Sequence, residues 1–317
     1  TDCKMAAGLY RKAALKGYSI GQYNLALCYD QGTGVRKNMA IAVKWYKKAA
    51  EQGYAEAQCN LGVCYENGTG VQKDSVQAVK WYKLSAAQDD AVALYNLGEA
   101  YYYGDGVKKC YKKAVEYYTK AAELGNGKAF YKLGICYEDG LGVKKNPLKA
   151  FECFQKAAED DYPEAVYYLG SCYYNGRGVE KDLAQAYYWH KKSAELGETT
   201  GMNDIATCDY GIEIPEREKV EWLQKAADAG DTFALCNLGV RYQLGKGVEK
   251  NEKMAMQLFR KSAKLNEPSA YYALYICYIN GRGVRKNRQL ALKYLHKSAE
   301  LGYPKARKIL KKMESGE

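Results

Sequence analysis

The sequence predicts an all-α fold in which helix hairpins stack into a solenoid. Three observations support this prediction: a pattern recurs every 36 residues along nearly the whole chain, small and apolar residues recur at helical spacing within each unit, and a pair of glycines divides each unit into two halves. One hairpin cannot bury both of its apolar faces, whereas stacked hairpins form a continuous core. The composition of the 317 residues, 47% hydrophobic and 27% charged, excludes a disordered or fibrous chain.

The repeats also predict how the chain is divided. Residues 1–18 match the second helix of a truncated repeat, 19–198 hold five regular repeats, 199–231 form a degenerate, shortened repeat, 232–303 hold two regular repeats, and 304–317 form a C-terminal capping helix. We expect the chain to start inside a repeat, so a targeting segment upstream of it would lie outside the given sequence.

The first half of each unit is predicted to be a helix, which we call helix A. In the unit that begins at Ala55, the side chains of Ala57, Leu61 and Tyr65 follow a four-residue spacing and share one helical face. Helix A is predicted to end at Gly68, because glycine adopts the left-handed conformation that terminates a helix. A Gly-x-Gly pair stands at the equivalent place in every complete unit except the sixth.

The second half of each unit is predicted to be helix B. Asp74 is suited to cap its first N–H groups, and an Asn or Asp stands at the same place in most other units. Trp81 and Tyr82 then supply aromatic side chains for the core. Each unit is therefore predicted to be a helix-turn-helix hairpin.

The repeated pattern AxxxxLGxCYxxGxGVxKDxxxAxxWYxKAA resembles the Sel-1-like repeat (SLR) family of the tetratricopeptide (TPR) superfamily. This resemblance covers nearly the whole chain, and it implies a right-handed α-α superhelix with helix A on the concave side and helix B on the convex side. The sixth unit departs from the pattern, since Ile205, Ala206 and Asp209 replace the expected Leu, Gly and Tyr and the glycine turn is missing. Pro215 is predicted to open a shifted helix B, and we expect a kink, seam or special contact site in this unit.

The glycine loop also allows a phosphate-binding interpretation, because glycines before a helix N-terminus and a lysine occur in anion sites. The lysine recurs in unit after unit, as at Lys37 and Lys73, whereas a nucleotide site is needed only once. The strand that precedes a P-loop is also lacking. We therefore interpret this lysine row, and a second row through Lys48 and Lys120, as solvated outer faces.

The eleven cysteines admit four interpretations, namely a disulfide ladder, zinc ligands, a nucleophile or core packing. There is no CxxC motif for zinc. The cysteine-rich secreted branch of the family staples each hairpin, and helix B here lacks the second cysteine of that branch. We therefore predict small core residues and a reducing, cytoplasmic compartment. Six cysteines share the place directly before the helix A tyrosine or its replacement: Cys28, Cys64, Cys136, Cys172, Cys208 and Cys277.

The two histidines give little support for catalysis. His190 stands where other units carry a core aromatic of helix B, and His296 is predicted to be exposed. The Ser-x-x-Lys arrangement of penicillin-recognising enzymes, with its supporting motifs, is not found. We predict no catalytic residues, no metal and no cofactor. The four tryptophans share one place in helix B and are predicted core aromatics: Trp45, Trp81, Trp189 and Trp222.

The resemblance implies that positions two, five, nine, twelve and thirteen of helix A line a partner-binding groove. Tyrosine occupies these positions about twice as often as it occurs in the whole chain, and tyrosine is enriched at protein interfaces. Packing between neighbouring helices is the alternative role for such tyrosines. The same rule also places Cys59, Cys236 and Tyr210 at the groove. The predicted groove residues are Tyr23, Glu56, Tyr95, Glu99, Tyr102, Tyr103, Tyr131, Glu138, Asp139, Tyr167, Tyr174 and Tyr272.

The predicted groove is acidic although the formal net charge of the chain is +11. Its positions hold seven carboxylates against one lysine, Lys128, so a nucleic-acid backbone would be repelled there. A protein or peptide with a basic segment is the predicted partner, without direct membrane insertion. In the last two units these positions carry no charge, and the predicted apolar end of the groove comprises Phe233, Val240, Leu244, Ile276 and Ile279.

These features predict a non-catalytic protein-protein interaction scaffold or adaptor. The resemblance implies the same class, with members that act as ubiquitin-ligase adaptors, chitin-synthase activators and bacterial regulators or effectors. The main alternative is a dedicated inhibitor or immunity-type regulator of one enzyme. Further alternatives are an enzyme that acts on β-lactams, as proposed for the cysteine-rich branch, and a nucleic-acid binder that uses the convex lysines.

Overall fold

The computed structural model describes residues 2–315, and all regular secondary structure in that range is α-helical. This confirms the predicted all-α fold. The helices are α1 (Asp2–Leu15), α2 (Ser19–Gln31), α3 (Met39–Glu51), α4 (Ala55–Asn67), α5 (Ser75–Ala86), α6 (Ala91–Tyr103), α7 (Tyr111–Glu123), α8 (Gly127–Asp139), α9 (Pro147–Glu159), α10 (Pro163–Asn175), α11 (Leu183–Glu195), α12 (Thr199–Thr207), α13 (Glu216–Asp228), α14 (Thr232–Leu244), α15 (Glu252–Lys264), α16 (Pro268–Asn280), α17 (Arg288–Glu300) and α18 (Pro304–Ser315).

The chain forms two compact units, residues 1–162 and residues 163–317, which we call unit 1 and unit 2. Within each unit, every helix packs against the helix that follows it. The even-numbered helices from α2 to α16 are helices A, and the odd-numbered helices from α3 to α17 are helices B. Each unit is therefore a stack of helix hairpins.

The turn inside each hairpin depends on both glycines of the Gly-x-Gly pair. Gly68 ends α4 in the left-handed conformation, with φ of 70°, and its backbone N–H donates to the carbonyl of Cys64. A Cβ on Gly70 would lie 2.5 Å from the carbonyl oxygen of Met39, so this glycine lets the turn approach the start of the preceding helix B. The Asp74 side chain then accepts hydrogen bonds from the first N–H groups of α5, as predicted.

A third glycine, at position eight of helix A, joins the two helices of a hairpin. A Cβ on Gly62 would lie 2.5 Å from the ring of Tyr82, and a Cβ on Gly239 would lie 2.6 Å from the ring of Phe259. The helix B ring therefore lies directly on the backbone of helix A. Tyr82 and Phe259 are fully buried as a result.

The sixth repeat, in unit 2, has a different helix A. α12 has nine residues, and Pro215 precedes the first residue of α13, which confirms the predicted shift of helix B. The glycine that would cap α12 is absent, and Arg241 from α14 takes over part of its role by donating to the carbonyl of Ala206 at 2.9 Å. Arg241 also pairs with Glu216. Tyr210 turns into the core rather than lying in the predicted groove.

His190 is packed in the core, as predicted, and is only 1% exposed. Its Nδ1 lies 2.7 Å from the hydroxyl oxygen of Tyr210, and its Nε2 lies 3.3 Å from the hydroxyl oxygen of Ser171. The ring stacks on Tyr167 with centroids 5.1 Å apart. Burial lowers the pKa of His190 to about 4, so the imidazole is neutral in the folded protein at pH 7.

The cysteines are all free thiols, and seven of the eleven are buried. Burial raises the pKa of Cys136 to about 12, which removes the thiolate that a reactive cysteine would need. The prediction that the recurrent cysteine is a core residue is confirmed at five of its six places, while Cys208 in the sixth repeat is half-buried.

We predict that a thiol titration of the unfolded chain, prepared without reductant, will find nearly all eleven cysteines reactive. Reductant should leave the melting temperature unchanged, because no disulfide then constrains the unfolded state. Several intact disulfides in the same assay would contradict both this prediction and the expected reducing compartment.

We predict that acid weakens unit 2 through His190. Since the pKa of His190 is about 4 in the folded protein and about 6.5 when unfolded, only the unfolded chain binds a proton between these values. The free energy of unfolding should therefore fall by about 2 kcal/mol between pH 6.5 and pH 5. Urea unfolding at several pH values would measure this change.

The matched variant for this test is His190→Phe, since Phe154 occupies the same place in α9. This variant should lose the extra pH dependence, while His296→Gln, at an exposed position, should keep it. Equal pH dependence in the wild type and in His190→Phe would show that His190 is not the responsible group.

Candidate protein-binding surface

The predicted groove positions form one surface strip along the helices A of each unit. In α2, α4, α6 and α8 of unit 1, positions two and thirteen are exposed, as at Glu56, Tyr103 and Asp139, whereas most residues at positions five, nine and twelve are half-buried. We call this strip the A-face of unit 1. Half-buried side chains form its floor and exposed side chains form its two rims.

The tyrosines at position five pack and remain partly accessible at the same time. The Tyr23 ring lies 4.9 Å from the ring of Tyr54, and the Tyr131 ring lies 5.2 Å from the ring of Tyr162. Burial raises the pKa of Tyr23. One side of each ring therefore stabilises the stack, while the remaining edge is accessible on the A-face.

Three carboxylates of the A-face accept hydrogen bonds from hydroxyl groups of the core. The Tyr82 hydroxyl donates to Glu66 at 2.7 Å, and burial together with this hydrogen bond raises the pKa of Tyr82. The same arrangement joins Tyr46 to Asp30 and Tyr118 to Glu99. Because each donor is a buried helix B ring, the orientation of the surface carboxylate is set by the packing of the hairpin.

One lysine on the A-face was missed by the sequence analysis. Lys132, at position six of α8, lies 3.0 Å from a carboxylate oxygen of Glu99, and its ammonium group lies 5.7 Å from the ring centroid of Tyr102 and 5.4 Å from that of Tyr103. Its Nζ also donates to the Tyr103 hydroxyl at 3.4 Å. These contacts bring α6 and α8 side by side on this surface and neutralise Glu99, although five other carboxylates remain at the predicted positions.

A cleft of about 450 Å³ opens at one end of α6 and α8. Its lining includes Val92, Tyr95, Asn96, Lys128 and Tyr162. Val92 is exposed and Tyr95 and Tyr162 are half-buried. The accessible wall of the cleft is mainly apolar, and Asn126, Lys128 and Asp160 add polar groups to its lining.

The predicted groove residues of unit 2 lie on the equivalent strip. The Tyr167 hydroxyl donates to Asp204 at 3.1 Å, and Tyr272 packs against Tyr303 with ring centroids 5.1 Å apart. Tyr174 is half-buried against Tyr210. At the apolar end, Phe233 and Leu244 are exposed, whereas Val240, Ile276 and Ile279 are half-buried.

Three assignments that the positional rule made are wrong. Cys59, Cys236 and Tyr210 are 3%, 5% and 2% exposed and do not reach the surface. A small thiol at position five sinks between the helices where a tyrosine ring would extend outward. Tyr210 leaves the surface because α12 ends before that residue.

The helix B side of the hairpins carries lysines over tryptophans. The ammonium group of Lys48 lies 4.5 Å from the ring centroid of Trp45, and that of Lys225 lies 4.3 Å from that of Trp222. These lysines cover half-buried or buried indoles while their charge stays at the surface. Within residues 2–315, no group of His, Cys, Asp or Glu is arranged to hold a metal ion, and no helix is both long and apolar enough to span a bilayer.

Comparison with known protein families shows which family the chain belongs to. The Sel1 repeat model matches residues 1–18, 19–54, 55–90, 91–126, 128–162, 163–198, 220–231, 232–267 and 268–303. The chain belongs to the Sel1 repeat family. The matched segments of this Sel1 repeat protein omit 199–219, the part of the sixth repeat that contains the shortened α12.

Solved structures with the same fold come from several bacteria. A Sel1 repeat protein from Oxalobacter formigenes is 37% identical, with a TM-score of 0.64 over 71% of this chain and 97% of that chain. A protective antigen of uropathogenic Escherichia coli with an SLR fold is 30% identical, with a TM-score of 0.55 over 96% of this chain and 82% of that chain. No curated protein matches the chain significantly.

We predict that Tyr82→Phe destabilises its hairpin by about 1–3 kcal/mol, because the half-buried Glu66 carboxylate loses its hydroxyl donor. Urea unfolding of the full chain would measure the loss. Tyr188→Phe, at an exposed place in α11, is the control and should change little. If both variants unfold alike, the hydroxyl of Tyr82 does not stabilise the stack.

Proposed function

We propose that this chain is a non-catalytic scaffold whose A-face of unit 1 binds a protein segment that carries basic residues. Sel1 and TPR-like repeat proteins are generally protein-interaction scaffolds. The observation that carries the finer proposal is the alignment of half-exposed tyrosines and core-anchored carboxylates on one face of α2, α4, α6 and α8.

Anchored carboxylates favour recognition of a cationic segment. Tyr82 and Tyr46 hold Glu66 and Asp30 from below, so a partner does not have to order these side chains when it binds. The tyrosine rings supply rigid contact area, and exposed carboxylates such as Asp139 act at longer range on the rate of encounter.

The arrangement of nucleophiles and bases supports a binding role rather than an enzymatic one. His190 is buried and neutral, with both ring nitrogens directed at hydroxyl groups of the core. Burial also raises the pKa of the buried thiols Cys59 and Cys236. These groups belong to the core of the fold. The residues that reach the A-face are instead tyrosines and carboxylates, which suit contact with a partner.

The test compares affinity purification by the wild-type chain with that by Tyr103→Ala, followed by kinetics with the recovered partner. Tyr103 is 56% exposed, so its truncation should leave the fold intact. Loss of its ring should weaken binding by about 2 kcal/mol, mainly by faster dissociation. Glu138→Gln with Asp139→Asn should mainly slow association, by an amount that shrinks as salt rises.

The matched control is Lys109→Ala with Lys145→Ala, at two exposed loop positions. These changes should leave the partner's affinity unchanged. If the lysine variants lose the partner and Tyr103→Ala keeps it, the partner binds elsewhere and the A-face proposal fails.

A further inference from the structure

The sixth repeat lacks the last turn of helix A, and this leaves a recess on the surface of unit 2. α12 has nine residues, where α10 and α14 each have 13. After Thr207 the chain leaves the helix in an extended conformation at Cys208. The recess, which we call the notch, has a volume of about 480 Å³, and its lining includes Ile212, Glu216, Lys219, Val240, Leu244 and Lys246.

The notch has an apolar part that solvent reaches. Ile212 is 48% exposed and Leu244 is 53% exposed. Val240, which also lines the notch, is half-buried. Three of the other regular repeats carry asparagine at the place of Leu244, namely Asn67, Asn175 and Asn280, and none carries leucine there. A large exposed leucine here is therefore not a requirement of the repeat.

The notch also has an excess of positive charge around one carboxylate. Glu216 pairs with Lys219 at 3.1 Å and with Arg241. Partial burial raises the pKa of Glu216, but Lys219, Arg241 and Lys246 outweigh this effect and lower it overall. Among the residues that the structure describes, Lys246 has no ion-pair partner of its own. The other acidic residue of the lining, Asp209, accepts a hydrogen bond from the backbone N–H of Gly211 at 2.9 Å.

We infer that the notch binds a segment of a partner protein that presents an apolar side chain next to an acidic one. This inference rests on the proposed scaffold function. The apolar side chain of the partner would cover Ile212 and Leu244. Its acidic side chain would form ion pairs with Lys219 and Lys246. Three cations against two carboxylates disfavour a basic segment, so the notch and the A-face of unit 1 select segments of opposite charge.

The test uses random 12-residue peptides displayed on phage and selected on the full chain. Enriched peptides should carry Asp or Glu within four residues of Leu, Ile or Phe. Synthetic copies should bind Leu244→Asn about tenfold more weakly than the wild type, and Lys219→Gln with Lys246→Gln should weaken binding by a similar factor that shrinks as salt rises.

The matched control is Lys253→Gln with Lys261→Gln on α15, which removes two exposed charges outside the notch and should leave peptide binding unchanged. Circular dichroism and thermal melting of each variant would exclude loss of the fold. The inference would be overturned if no enriched peptide lost affinity for Leu244→Asn, or if the peptides that did so were basic. The inference would also fail if the wild-type chain formed a dimer that Leu244→Asn dissociates, since a second copy of the chain would then occupy the notch.

The same selection separates the two proposals. If every enriched peptide depends on Tyr103 and none depends on Leu244, protein binding by the A-face of unit 1 is supported and the notch is refuted. If every enriched peptide depends on Leu244 and none depends on Tyr103, the notch alone is supported, and both classes together support both surfaces.

Discussion

The structure depends on one repeated contact, in which the ring of a helix B residue lies on the glycine at position eight of helix A. Any side chain larger than hydrogen at Gly62 or Gly239 would overlap the ring of Tyr82 or Phe259. This close approach fixes the distance between the two helices of a hairpin, and it removes the ring from water. Because the Tyr82 ring ends beneath the outer face of helix A, its hydroxyl reaches the Glu66 carboxylate on the A-face.

Hydrogen bonds from these rings connect the core to the candidate binding surface. Where the ring is tyrosine, as at Tyr46, Tyr82 and Tyr118, its hydroxyl orients a carboxylate on the outer strip. Where the ring is His190, the hydrogen-bond partners are instead Ser171 and Tyr210. The buried helix B residue therefore determines whether the core holds a carboxylate of the A-face in place.

The regular hairpins were predictable because each of their repeats carries the same local signals, and the family assignment rests on these signals. The contacts between successive helices A were not predictable in the same way, since they depend on the rotation from one repeat to the next, which a period does not encode. Lys132 shows this limit: it occurs at position six in one repeat only, yet it lies between Glu99 and Tyr103. The sequence showed that the sixth repeat departs from the pattern, but not that Tyr210 turns inward or that Arg241 caps α12.

The sixth repeat also constrains how this chain can change in length during evolution. A regular hairpin carries its own glycine turn and, except at Cys110, a side-chain cap on helix B, so its duplication or deletion leaves each remaining hairpin with its internal contacts. The sixth repeat relies on His190 before it and on Arg241 after it. Removal of the fifth hairpin leaves the buried Tyr210 hydroxyl without His190, and removal of the seventh leaves the end of α12 without Arg241. Removal of the sixth hairpin leaves His190 without Tyr210. Recombination should therefore treat residues 163–267 as one inseparable block, and new repeats should be gained outside it.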